Sequence, residues 1–133
     1  MADRYFTPTE VEGLIPALTE IMGDVMAAQR EGTAVRERLR AEQERIAMSG
    51  GGVIDRDAWR DGKAALERLG RRIQARLEDI ARLGGAPKDL GLGLVDFPHL
   101  RHGEVVNLCW KYGERSITHW HGLDEGFAAR RPL

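Results

Sequence analysis

Two heptad-spaced apolar stripes, separated by three successive glycines, constrain this chain more than any other feature. Val11, Leu14, Leu18, Ile21, Val25, Ala28, Gly32, Val35, Leu39, Glu42 and Ile46 fall at alternating steps of three and four, the spacing that lines up one seam of a helix. Ile15 and Met22 widen the stripe. After Gly50, Gly51 and Gly52 the pattern resumes at Trp59, Gly62, Leu66, Leu69, Ile73, Arg76, Ile80 and Leu83, with Leu77 beside it. Two helices joined by a short turn pack antiparallel, so the stripes predict a long coiled-coil-like hairpin.

The ends of both helices are marked. Thr7 is placed as N-cap, Pro8 at the first helical position and Glu10 to close a capping box, while Phe6 can staple onto Val11. The first helix is expected over 7–48 and kinked near Pro16, which has no N–H to donate. The turn is expected over 49–55 and the second helix over 56–83, with Asp55 or Asp57 as its cap and Gly84-Gly85 as its end. Gly32 and Glu42 are small or polar where a knob belongs, which predicts a bend or a close approach at Gly32.

At about 1.5 Å per residue the helices are roughly 60 Å and 40 Å long, too long for a globular body. Two helices alone leave part of a widened stripe uncovered. Pairing of two hairpins into a four-helix bundle covers it, so a homodimer is expected. With the turn near residue 51, Leu83 comes level with about Glu20, and the first helix projects about ten residues past it. The remainder, 86–133, is therefore expected to pack on 5–18. The reading is a single domain over 1–133, mainly α with a small β element.

The totals narrow the function classes. Twenty Lys and Arg balance 21 Asp and Glu in 133 residues, and neither half of the chain is a polycation, which argues against a sequence-independent grip on nucleic acid. A single cysteine makes no intramolecular disulfide, and MADRYFTPTE has no basic region followed by an apolar run. The cytoplasm is the expected compartment. No apolar run approaches the roughly 18 to 20 residues of a membrane-spanning helix.

All four histidines, the cysteine and two of the three tryptophans lie between Gly91 and Leu133. Ala86 to His102 suits a loop or a short edge strand ending at Phe97-Pro98. Glu104 to Lys111 and Arg115 to His121 then read as two strands of a β-hairpin around Gly113. On a strand, His119 and His121 point to one face, the arrangement that offers two nitrogens to one metal ion, and Asp124 follows with an oxygen. A two-residue turn puts Val106, Leu108 and Trp110 on that face; a three-residue turn puts Cys109 there. The first matches apolar with apolar and is preferred, which turns Cys109 away from the histidines.

Blander readings stand beside each of these. A His-Trp-His tripeptide in a small sheet is more often structural, His99 and His102 suit a solvated loop, and a strand cysteine is more often buried than nucleophilic. Asp96 and Asp124 are two acids whose separation in space the sequence does not give. Trp110, Trp120 and Phe127, with Arg130 near the basic end of the chain, form a candidate aromatic and basic binding surface, against the simpler account of a small core and a solvated tail.

The chain also resembles the bacterial DUF2203 family, of unknown function. The residues that carry the resemblance are the opening YFTPTEVEGLIPAL, then GLVDFP, Leu108 to Trp110 (LCW), Gly113-Glu114, His119 to His121 (HWH) and LDEGFAARRPL. The resemblance implies a bacterial, cytoplasmic protein of two long helices and a compact C-terminal module, and it brings no activity or catalytic residue. From the residues, the first expectation is a non-catalytic oligomeric interaction or assembly protein that docks a protein partner. The alternative is a small metalloprotein holding a divalent ion such as zinc on His119, His121 and Asp124, with hydrolysis at an open position.

Overall fold

The computed structural model describes residues 4–50 and 55–133. Two helices, α1 (Pro8–Met48) and α2 (Arg56–Leu83), are followed by strands β1 (Ala86–Asp89), β2 (Leu94–Arg101), β3 (Glu104–Lys111), β4 (His119–His121) and β5 (Arg131–Pro132), with a 3-10 turn at Phe127–Ala129 before the last. The fold is mainly α: a helical hairpin with one antiparallel sheet, whose strands neighbour one another in chain order. No helix among the described residues is long and apolar enough to cross a membrane.

Local chemistry accounts for the helix ends. Thr7 Oγ1 accepts from the Glu10 N–H at 3.1 Å while the Thr7 N–H donates to Glu10 Oε1 at 3.0 Å, a closed capping box. Asp55 caps α2 through the Ala58 N–H at 3.0 Å. At the far end Gly84 takes φ 98°, and a Cβ there would lie 2.4 Å from Phe6 Cζ, so both backbone and space require glycine. Residues 51–54 of the expected turn lie outside the described residues. α1 continues as one helix through Pro16. Across the hairpin the tighter glycine is Gly62 and not Gly32: a Cβ on Gly62 would meet Leu39 at 2.9 Å, whereas one on Gly32 would be in ordinary contact with Leu69 at 3.9 Å.

The core lies where the sheet covers the hairpin. Val11, Leu18, Met22 and Val25 of α1 and Ile80 of α2 are fully buried against Val95, Phe97, Leu108 and Trp110. The sheet's seat thus reaches Val25, about two turns beyond the expected 5–18. Phe6 meets Phe97 edge-on at 5.1 Å and donates its N–H to Pro98 O at 2.7 Å, anchoring the entry to α1 on β2.

The C-terminal β module is a five-stranded antiparallel sheet of hairpin type, and its tight turn is elsewhere than expected. Arg101 pairs with Glu104 around His102-Gly103, both at positive φ (50° and 82°), the pair of conformations that a type I′ hairpin turn needs. What reads as a loop ending at Phe97-Pro98 is therefore the eight-residue strand β2. Pro98 fits because its carbonyl points away from β3 to the Phe6 N–H, so its missing donor costs no β2–β3 bond. The β3–β4 connection, by contrast, is the longer stretch 112–118.

That longer connection overturns the preferred register. Asn107 pairs with His121 and Leu108 with Trp120. Val95, Phe97, Leu108, Trp110 and Trp120 consequently share the face toward the helices, while Asp96, Asn107, Cys109, His119 and His121 share the opposite one. Matching apolar strand residues to the face of the histidines failed because the apolar member of His-Trp-His is Trp120. Its indole points to the core and the imidazoles point the other way.

Candidate metal centre

On the face away from the helices, three strands each contribute one buried polar side chain. Asp96 of β2 is paired directly with Cys109 of β3, and His121 of β4 is paired with Asn107, two residues from Cys109 along the same face. Asp96, Cys109 and His121 are only 3%, 1% and 2% exposed. One carboxylate oxygen, Sγ and one imidazole nitrogen lie within 4.8 Å of one another. Each of these residues alternates with core residues along its strand, so the packing that buries Val95, Phe97, Leu108, Trp110 and Trp120 also fixes the three donors.

The imidazole is oriented by its surroundings. His121 Nδ1 lies 2.9 Å from Gly122 O, and because a carbonyl only accepts, Nδ1 carries a hydrogen. The other nitrogen, Nε2, faces Asp96 Oδ1 at 3.1 Å. A proton or a cation between Nε2 and Oδ1 satisfies that contact. An Nδ1–H held by a backbone carbonyl is also the outer contact that metal-bound histidines commonly make.

Gly122 is itself held. Its N–H donates to Glu125 Oε1 at 2.7 Å, and the Glu125 N–H returns to Gly122 O at 3.1 Å. Arg131 grips the same carboxylate with two hydrogen bonds of 2.9 and 2.8 Å. The Gly122 N–H, then Arg131, hold the Glu125 carboxyl below the usual range. A Cβ on Gly122 would sit 2.8 Å from Glu125 Oε1. The segment after β4 is thus folded tightly over the site by its own Gly-x-x-Glu spacing.

Cys109 has the opposite electrostatics from a nucleophile. Burial, and then the neighbouring Asp96 charge, push its thiol up to about 12, with Arg130 opposing weakly. At neutral pH the unmetallated sulfur is a thiol, which removes the nucleophile reading. A divalent cation reverses the balance, since a coordinating thiol loses its proton outright.

Between the sheet and the segment after β4 lies a cavity of about 110 Å³ into which Asp96, Cys109 and His121 project. Lys88, Asn107, Glu125 and Phe127 form much of the rest of its wall.

The structure brings only His121 of the expected ligand set into this group. His119 shares its face but is half-buried outside the group, with Nδ1 2.8 Å from Thr118 Oγ1, and Asp124 is exposed. Cys109 and Asp96 take the remaining places, which the expected register kept apart from the histidines. The four residues of the expected binding surface divide between the two faces. Trp110 is fully buried in the core, and half-buried Trp120 lies between Arg101 and Arg131, each guanidinium 4.8 Å from its ring. Phe127 is on the cavity wall under Arg130, which lies 4.7 Å from its ring and is bonded to both oxygens of Glu114 at 3.1 and 2.8 Å. His99 is also engaged, through Nδ1 and Phe6 O at 2.6 Å.

A family model described as "Uncharacterized conserved protein (DUF2203)" matches residues 4–133. The chain belongs to the DUF2203 family. No curated protein and no solved structure matches it. Within this DUF2203 chain, the motifs GLVDFP, LCW and HWH each hold one member of the Asp96–Cys109–His121 group.

Proposed function

We propose that this protein binds a divalent transition metal ion, zinc by preference, on Asp96, Cys109 and His121. The observation that carries the reading is the convergence of one oxygen, one sulfur and one nitrogen donor, all buried, within 4.8 Å of one another. Tetrahedral zinc with these donors sets its ligand atoms roughly 3.3 to 3.8 Å apart, so side-chain adjustment of about 1 Å brings all three donors onto one ion. Thiolate, imidazole and carboxylate together suit zinc better than magnesium or calcium, which take oxygen. The bland alternative is a buried Asp–His ion pair with a thiol beside it. Elemental analysis of chelator-free protein separates the two: about one equivalent of metal is expected, lost in Cys109→Ser and His121→Ala and retained in His119→Ala and Asp124→Asn. Protein that stays empty after zinc is added back overturns the metal reading.

A second reading, self-assembly through the outer half of the hairpin, rests on a separate observation. Beyond Val35 the seam side chains Leu39, Ile46, Trp59 and Leu66 are only half-buried, and grooves of about 410 and 380 Å³ lie against Trp59. A homodimer that pairs two arms would cover them and leave the metal centres at the ends of the assembly. Sedimentation at micromolar concentrations is expected to give a dimer, and a monomer for Leu39→Glu with Trp59→Glu. A wild-type monomer at every concentration removes this reading and leaves the first untouched.

A further inference from the structure

We infer that the metal centre is of the open kind and takes a small anion as an exchangeable ligand, with Lys88 and Asn107 of the cavity wall as its further contacts. The inference rests on the metal reading above and concerns what fills the coordination shell.

Three donors leave a tetrahedral ion one position short. Among the described residues, the nearby side chains able to fill it are engaged elsewhere. Glu125, the other acid on the cavity wall, has its carboxylate spread over the Gly122 N–H and both outer nitrogens of Arg131. His119, on the same sheet face, is set against Thr118 outside the group. The free position therefore opens into the cavity. Its volume of about 110 Å³ exceeds the roughly 10–15 Å³ that one water needs, which leaves room for a ligand of a few heavy atoms.

Charge and hydrogen bonding select the ligand. A divalent ion is neutralised by the Asp96 carboxylate and the Cys109 thiolate, and Glu125 is neutralised by Arg131. Lys88, exposed at the β1 end of the wall, has no ion pair among the described residues, and the half-buried Asn107 amide, toward the other end, has no side-chain partner among them. An ammonium and an amide on the wall of the cavity match a small monoanion, such as a carboxylate, that ligates through one atom and offers the others as acceptors. Half-buried Phe127 and exposed Leu123 add apolar surface to the wall.

The test is the visible spectrum of the full-length protein loaded with cobalt(II), titrated with azide and with acetate. Saturable changes in the cobalt bands are expected, with affinity weakened about tenfold by Lys88→Ala and several-fold by Asn107→Ala at unchanged cobalt content. Cobalt bound with bands that neither anion moves means a closed, structural site and overturns this inference alone. Anion affinity unchanged in both variants overturns the assignment of Lys88 and Asn107. No cobalt uptake overturns the metal reading itself.

Discussion

The two faces of the sheet are built from the same strands and do opposite work. Toward the helices, Val95, Phe97, Leu108 and Trp110 are all essentially inaccessible and belong to one continuous apolar core. On the other face the alternating positions are Asp96, Asn107, Cys109 and His121, and a cavity of about 110 Å³ remains between them and the segment that covers them. Close packing is where stability comes from, and a face that keeps a cavity and buries ionisable groups forgoes some of it. The difference teaches that the apolar face is the scaffold and that the polar face is the cargo it positions.

The sharpest way to break that comparison is to exchange the penalties. Trp110→Ala removes the largest fully buried side chain, together with its 3.1 Å hydrogen bond to Glu114 O, and is expected to cost about 3–5 kcal/mol by urea denaturation. Trp110→Phe keeps the variant foldable and should lose less. Cys109→Ser, one residue away on the other face, is expected to cost far less without metal. A Cys109→Ser penalty as large as that of Trp110→Ala would make the polar face part of the scaffold and erase the distinction.

Metal should act on one face only. Saturating zinc at about a hundred times its dissociation constant is expected to stabilise the wild type by about 2.7 kcal/mol, because a ligand that binds only the folded state adds its binding free energy. His121→Ala should show none of this gain. Stabilisation that survives in His121→Ala would put the ion somewhere other than the Asp96–Cys109–His121 group.

The outer contacts of the site give a smaller effect. Glu125→Gln keeps the shape of the side chain but weakens its hold on Arg131, and with it the hold on Gly122 and the His121 ring. A roughly tenfold loss of zinc affinity is expected, the low end for outer-shell partners, with little change in unfolding free energy measured without metal. Equal losses in both would mean that Glu125 supports the fold and not the imidazole.

How much of this was legible in the sequence follows from the range of each interaction. The capping box at Thr7–Glu10, the cap at Asp55 and the Gly84 terminus are local, written within four residues, and the sequence locates them well. The seams of the hairpin are periodic and equally readable. The sheet was partly hidden, because Pro98 and the loop-like Gly91-Leu92-Gly93 disguise β2, and because His102-Gly103 looks less like a turn than Tyr112-Gly113 does. A wrong turn length inverts every side chain on a strand, and so the expected register kept Asp96 and Cys109 off the face of the histidines and left His119, His121 and Asp124 as the donor set in view. The signal that points to it is the alternation itself: Val-Asp-Phe, Leu-Cys-Trp and Trp-His each set a donor beside core residues. Which donors meet depends on pairings across 25 residues between Asp96 and His121, and no local pattern states them.

The smallest expected effect calibrates the others, because it belongs to a charge pair outside both faces. Asp24 of α1 bonds Arg72 of α2 across the hairpin, with Arg76 3.5 Å away, and the Arg72 hydrogen bond is the largest cause holding the Asp24 carboxyl below its usual value. A lowered carboxyl contributes stability above its unfolded value of about 3.9, and that contribution is lost as pH falls through the folded one. The side chains of Asp24 and Arg72 are 30% and 42% exposed, so solvent screening limits the pair to less than about 1 kcal/mol. Asp24→Asn should therefore lower the urea midpoint slightly at pH 7, by an amount that shrinks toward pH 2.5 as the Asp24 carboxyl takes up its proton. A difference between wild type and variant that is the same at both pH values would show that packing between the helices, and not the charge, is what Asp24 contributes. It would also place this ion pair with the apolar scaffold and set it apart from the polar face of the sheet, where the buried charges of Asp96 and His121 meet.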